Sequence, residues 1–324
     1  MSSLDGAVRY SPIYFKQKIM RQKLLLFCVI GLVSSNGISQ NNEKETFRIF
    51  FLGGQSNMEG HGLNTELPDS LSSTNENVWI FHGFPVGDGN QKGGLGKWDN
   101  LKPGNGAGFT SDGVSNNLSH KFGPELSFGK KLEQLYPSEK IALIKYARGG
   151  SSIDSLAARE YGSWEIDYKG AGGINQFDHF LKTVKEALNT KDLDGNGIED
   201  VLVPSGIIWM QGESDALDEQ IALRYFDNLK RLMDLIRASF RADDLPVVIG
   251  KISDSGKDNN GKTWEYGELV QYAQEKYVKT DKKAAIVRST MYYNYSDPWH
   301  YDSNGYIDLG IKFAEAIYLL NETE

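Results

Sequence analysis

Along the chain, short unbroken apolar runs alternate with longer stretches in which apolar residues recur every three or four positions. The runs at 47–53, 78–81, 141–147, 206–210, 246–252 and 284–288 are rich in β-branched and aromatic residues and predict strands. They lack the in–out alternation of a half-exposed sheet, which predicts strands covered on both faces. Helical spacing predicts helices over 124–136, 174–189, 218–240, 267–279 and 304–320. In the third of these, Leu223, Phe226, Leu229, Leu232, Met233 and Ile236 share one face. The alternation predicts an α/β fold, a mainly parallel sheet with helices on both sides. One stretch breaks the rhythm: residues 83–113 hold ten glycines and no period, and read as a functional loop or a mobile insertion. Trp98 within it is either a stacking surface for a sugar ring or a local packing anchor. No repeat and no Pro- or Ser-rich linker divides residues 40–324, which predicts one domain.

The N-terminus follows a different logic. Lys16, Lys18, Arg21 and Lys23 precede an apolar run at 24–33, and small residues follow at Gly37 and Ser39. That order predicts a signal peptide over 1–39, with Met20 as an alternative start, and a secreted or periplasmic protein. The run is too short to span a bilayer, so no stable membrane insertion is expected after cleavage. Cys28, the only cysteine, falls in the removed segment, so no disulfide framework is expected. At 40% hydrophobic and 24% charged residues, the composition suits a globular core and excludes a disordered chain. A net charge of −8 gives nucleic acid no electrostatic foothold.

Polar, glycine-bearing segments follow four of the predicted strands. Gly53-Gly54-Gln55-Ser56-Asn57-Met58 places a serine just past the first, where ligands meet a parallel sheet. Ser56 alone reads equally as a helix cap. Asp297-Pro298-Trp299-His300 supplies a carboxylate three residues before an imidazole, the spacing a base and its orienter need to activate a serine. Arg148-Gly149-Gly150 and Trp209-Met210-Gln211-Gly212-Glu213 add close-approach glycines and an amide donor for an oxyanion.

Together, GGQSNM, GPELSFG at 123–129, ARGGSSI at 147–153, WMQGESD at 209–215 and DPWH resemble the SGNH/GDSL hydrolase superfamily. More narrowly, they resemble its sialate O-acetylesterase-like branch, which includes carbohydrate esterase family six. The resemblance implies a flavodoxin-like three-layer α/β/α sandwich and removal of acetyl groups from sugars. It implies Ser56 as nucleophile, His300 as base and acid, Asp297 as its orienter, and Ser56, Gly150 and Gln211 as oxyanion donors. Asn57, Glu125 and Glu213, which stand in the same motifs, are expected to bind substrate. No cofactor is expected for catalysis, and the expected partner is an acetylated carbohydrate.

Polar residues beside aromatics (Asn57, Glu59, His61 and Asn64, with Tyr292, Tyr293, Tyr295 and Trp299) suit a hydroxylated ring. The alternatives are a carbohydrate-binding protein without turnover and a short-chain esterase or lipase. Residues 256–263 fit a P-loop pattern, but Asp258 opposes a phosphate, so a polar turn and no nucleotide are expected. Asp192, Asp194, Asn196 and Asp200 carry the early spacing of a calcium loop, with Val203 in place of the bidentate glutamate. This segment is either a structural calcium site or a plain Asx-turn loop. Zinc chemistry lacks its ligand spacings.

Overall fold

An apolar strand without alternation must be covered on both faces, and the first strand, β1 (Thr46–Gly54), is. The computed structural model describes residues 44–170 and 173–323, so the expected signal segment, Met20 and Cys28 lie outside the described residues. The other sheet strands are β2 (Asn75–His82), β3 (Trp98–Leu101), β4 (Lys140–Ala147), β5 (Val201–Met210), β6 (Val247–Gly250) and β7 (Ala284–Val287). They form one sheet in the order β7-β6-β5-β1-β4-β2-β3, parallel throughout except at the β2–β3 edge.

The helices are α1 (Ser56–Glu59), α2 (Glu125–Leu135), α3 (Gln176–Asn189), α4 (Glu219–Ser239), α5 (Gly267–Thr280) and α6 (Ser303–Glu322). Successive β1 side chains point to opposite layers. Phe50 meets Phe128 of α2 at 5.7 Å between ring centroids, while Phe51 meets Phe180 of α3 at 4.8 Å. Helices α2 and α6 pack together on the first face, and α5 packs beside α4. The architecture is the expected α/β/α sandwich, with β2 paired to β4.

Three details differ from the sequence reading. Strand β5 starts at Val201, five residues early, because Pro204 sits where the pairing with β1 slips a residue and no ladder donor is needed. On α4, Leu223 is 58% exposed; Ala222 and Tyr225 complete the buried face instead. The glycine-rich stretch supplies edge strand β3, where Trp98 lies edge-on to Phe81 and donates its indole N–H to the Ala187 carbonyl, so it packs the fold.

The topology also builds a crevice. Strand β1 has β4 on one side and β5 on the other, so the chain's winding reverses at its carboxyl end. Gly54 is in register with Ala147 and with Met210, so three loops leave the sheet at one level. Gly54 has φ +144°, and a Cβ there would lie 1.9 Å from the Met210 carbonyl oxygen; only glycine lets these strand ends approach.

Candidate active site

Ser56 opens α1 and sits buried in the crevice, in a cavity of about 700 Å³ that Gln55, Gly149, Gly150, His61 and His300 also line. As the first residue of a helix, Ser56 has an N–H without an intrahelical acceptor. A Cβ built on Gly149 would lie 3.5 Å from the Ser56 Cβ, so the loops after β1 and β4 touch. The Gly149 N–H donates to the buried Glu59 carboxylate at 2.6 Å. The Gly150 N–H bonds to no described residue, and its φ of +75° turns the chain beside Ser56.

His300 is held from two sides. Its Nδ1 lies 2.7 Å from Asp297 Oδ2, while Asp297 Oδ1 accepts the N–H groups of Trp299 and His300 at 2.7 and 2.9 Å. Burial works against the Asp297 charge, but the His300 bond and these backbone donors outweigh it and hold the carboxyl below the usual range. An ionised Asp297 accepts only, so Nδ1 carries the proton and Nε2 is left as the basic nitrogen. On its flat side His300 stacks on His61, with centroids 3.7 Å apart and planes 6° from parallel. Burial, then the nearby His300 and Lys121, push His61 down to about 3, so the stacked neighbour stays neutral.

Gln211 is not where an oxyanion donor must be. It is fully buried, and its Nε2 is spent on Gln55 Oε1 (3.2 Å), the Ser151 carbonyl (3.2 Å) and Asp215 Oδ2 (2.5 Å). The amide that faces the cavity is Gln55. Its Oε1 accepts from Gln211 Nε2, Gly212 N and Ser214 N; three converging donors fix it as the oxygen and leave Nε2 unbonded among the described residues. The sequence carried the signal, a glutamine directly before the serine, but not which way its amide turns.

The three expected substrate-binding residues are braces as well. Asn57 Nδ2 donates to Glu213 Oε1 at 2.8 Å and to the Trp299 carbonyl, and its Oδ1 accepts from Tyr306. Glu125 forms a fully buried ion pair with Lys145 at 2.7 Å, whose remaining protons go to the Glu59 and Asn105 carbonyls. All three are buried and none lines the cavity. Tyr293 and Tyr295 pack on Tyr301, leaving Tyr292 and Trp299 exposed and Trp299 on the cavity rim.

The loop at 256–263 is also rim. Asp254 accepts the N–H groups of Gly256, Thr263 and Trp264, so the donors a phosphate would need are already taken by a carboxylate. Arg148, Arg159 and Lys257 give the cavity wall three cations, with Asp258 beside them. Sequence reasoning placed Arg148 in a strand-end segment of the site but not Arg159 or Lys257. Those two stand in loops whose shape the strand pattern does not encode.

A family model described as carbohydrate esterase, sialic acid-specific acetylesterase, matches residues 46–319. A probable carbohydrate esterase of Arabidopsis thaliana is 26% identical over 206 residues, 61% of this chain, and the match spans 64% of that relative's length. Its solved structure matches with a TM-score of 0.58 at 21% identity, over 85% of this chain and 99% of that one. A carbohydrate acetylesterase of Xanthomonas citri matches at 0.57 with 17% identity, over 86% and 57%. NanS matches at 0.54 with 14% identity, over 86% and 98%. These structural likenesses establish the fold.

Proposed function

Because the chain belongs to the sialic acid-specific acetylesterase family of carbohydrate esterases, we propose that it is a serine esterase that removes O-acetyl groups from a sugar through an acetyl-enzyme. The observation that carries this reading is the Asp297–His300 pair, locked at 2.7 Å and facing the cavity in which Ser56 is buried. His300 Nε2 takes the Ser56 hydroxyl proton as Oγ bonds to the acetyl carbon, and the carbonyl electron pair moves onto its oxygen. That oxyanion is received by the N–H groups of Ser56 and Gly150 and by Gln55 Nε2, which replaces Gln211 in this role. Collapse breaks the bond to the sugar oxygen, and His300 returns the proton to it. Water, activated by the same imidazole, then releases acetate.

The sugar is anionic in this reading. Arg148, Arg159 and Lys257 on the wall favour a carboxylate-bearing ring, and the exposed face of Trp299 suits stacking. The enzyme acts outside the cytoplasm after removal of residues 1–39. Acetate release from O-acetylated sialic acid, acetylated xylose and a p-nitrophenyl ester series tests both halves. The acidic sugar is expected to have the lowest KM, rising with salt, and octanoate to be a far poorer ester than acetate. No acetate from any acetylated sugar, or a preference for octanoate, overturns the reading.

A further inference from the structure

The loop 192–200 enters β5 at the end of the sheet opposite the cavity, and the ten-residue strand puts roughly 30 Å between them. We propose that this loop holds a structural calcium ion, bound by the carboxylates of Asp192, Asp194 and Asp200. One oxygen from each lies within 4.8 Å of the others. Asp200 supplies the second, independent sign. It is only 8% exposed; its Oδ2 accepts the Leu193 N–H at 2.7 Å, while its Oδ1 is sealed from solvent with no donor among the described residues. A buried carboxylate oxygen without a partner is costly, and a cation removes that cost.

The surrounding charges point the same way. Glu45, at the entry to β1, stands against Asp194, with Lys140 Nζ 3.2 Å from its Oε2 as its counter-ion. Asn196 is not a ligand as it stands, because its Nδ2 donates to Asp194 and its Oδ1 accepts the Ile198 N–H. The donor set is therefore all oxygen, three carboxylates to be completed by carbonyl and water, which suits calcium's flexible shell of 6–8 ligands better than magnesium's strict octahedron. Without a bidentate glutamate at Val203, binding in the range of about 10⁻⁴–10⁻³ M is expected. Bound there, the ion ties the start of β1 to the start of β5, where Val201 N already donates to the Glu45 carbonyl.

The test uses the full chain, stripped with EDTA, dialysed, and titrated with CaCl2 or MgCl2 while melting temperature and binding heat are recorded. Calcium at about ten times Kd should raise Tm by roughly 2–5 °C, with no comparable effect of magnesium and no response in Asp192→Asn or Asp200→Asn. Hydrolysis of p-nitrophenyl acetate at 25 °C should be the same with EDTA as with calcium. No binding heat and no Tm change at about 10 mM CaCl2 overturns the proposal even if the variants do not fold. So does a calcium response that survives in Asp192→Asn/Asp194→Asn, or EDTA abolishing turnover at 25 °C.

Discussion

At the scale of single residues, two glutamines divide one task. Gln55 presents an amide to the cavity, and Gln211 holds that amide by its oxygen from below. Changing Gln55 to Glu keeps the accepting oxygen and replaces the NH2 that donates, so kcat should fall by roughly 10²–10³ with KM little changed. Gln211→Ala removes a buried brace instead, and should lower thermal stability as well as kcat. Steady-state kinetics paired with melts separates the two; full kcat in Gln55→Glu would return the role to another donor. The sequence set Ser56, Asp297 and His300 in segments that follow strands, and the structure puts Ser56 and His300 on one cavity with Asp297 bonded to His300. Asn57, Glu125, Glu213 and Gln211 were misread for a common reason. A polar residue inside a motif looks the same whether it faces a substrate or satisfies a buried neighbour, and only the hydrogen-bond partners distinguish the two.

Elements position these residues through a buried ion pair. Lys145 on β4 spends its three protons on Glu125 at the start of α2, on the Glu59 carbonyl after Ser56, and on the Asn105 carbonyl in the glycine-rich stretch. The pair is wholly buried, so removing one partner strands a charge. Glu125→Ala should cost about 3–5 kcal/mol in urea unfolding, and Glu125→Leu/Lys145→Met less than the two single losses combined. A loss under about 1 kcal/mol for the single change would mean the pair does not anchor α2. Apolar runs and helical spacing revealed strands β1, β2 and β4–β7 and helices α2–α6, because burial on one or both faces writes a period into the chain. Strand β3 was not legible: Trp98-Asp99-Asn100-Leu101 is a half-exposed edge pairing across a gap, and its partner Phe81 is the only clue.

Across the whole molecule, Asn57 and Glu213 join segments far apart in the chain, from the loop after β1 to the loop after β5 and the last helix. Burial raises Glu213, and its Oε2 has no partner among the described residues, so the native state holds this proton more tightly than the unfolded chain does. The folded state thus binds the extra proton, and this contribution to stability is full below the unfolded value of roughly 4.3, then lost as pH rises through the folded value. Glu213→Gln imitates the protonated acid, so its Tm should gain on the wild type as pH rises from about 4. A gap that does not change with pH would mean Glu213 is ionised when folded. The fold, the strand register and these braces all converge on one serine, and the most direct test of the account is its acetylation. Rapid-quench peptide mass spectrometry after mixing with p-nitrophenyl acetate should find the acetyl group on the peptide containing Ser56, and find none in Ser56→Ala, whose kcat should fall by several orders of magnitude. Acetate release by Ser56→Ala at the wild-type rate, or an acetyl group trapped on another side chain, would contradict it.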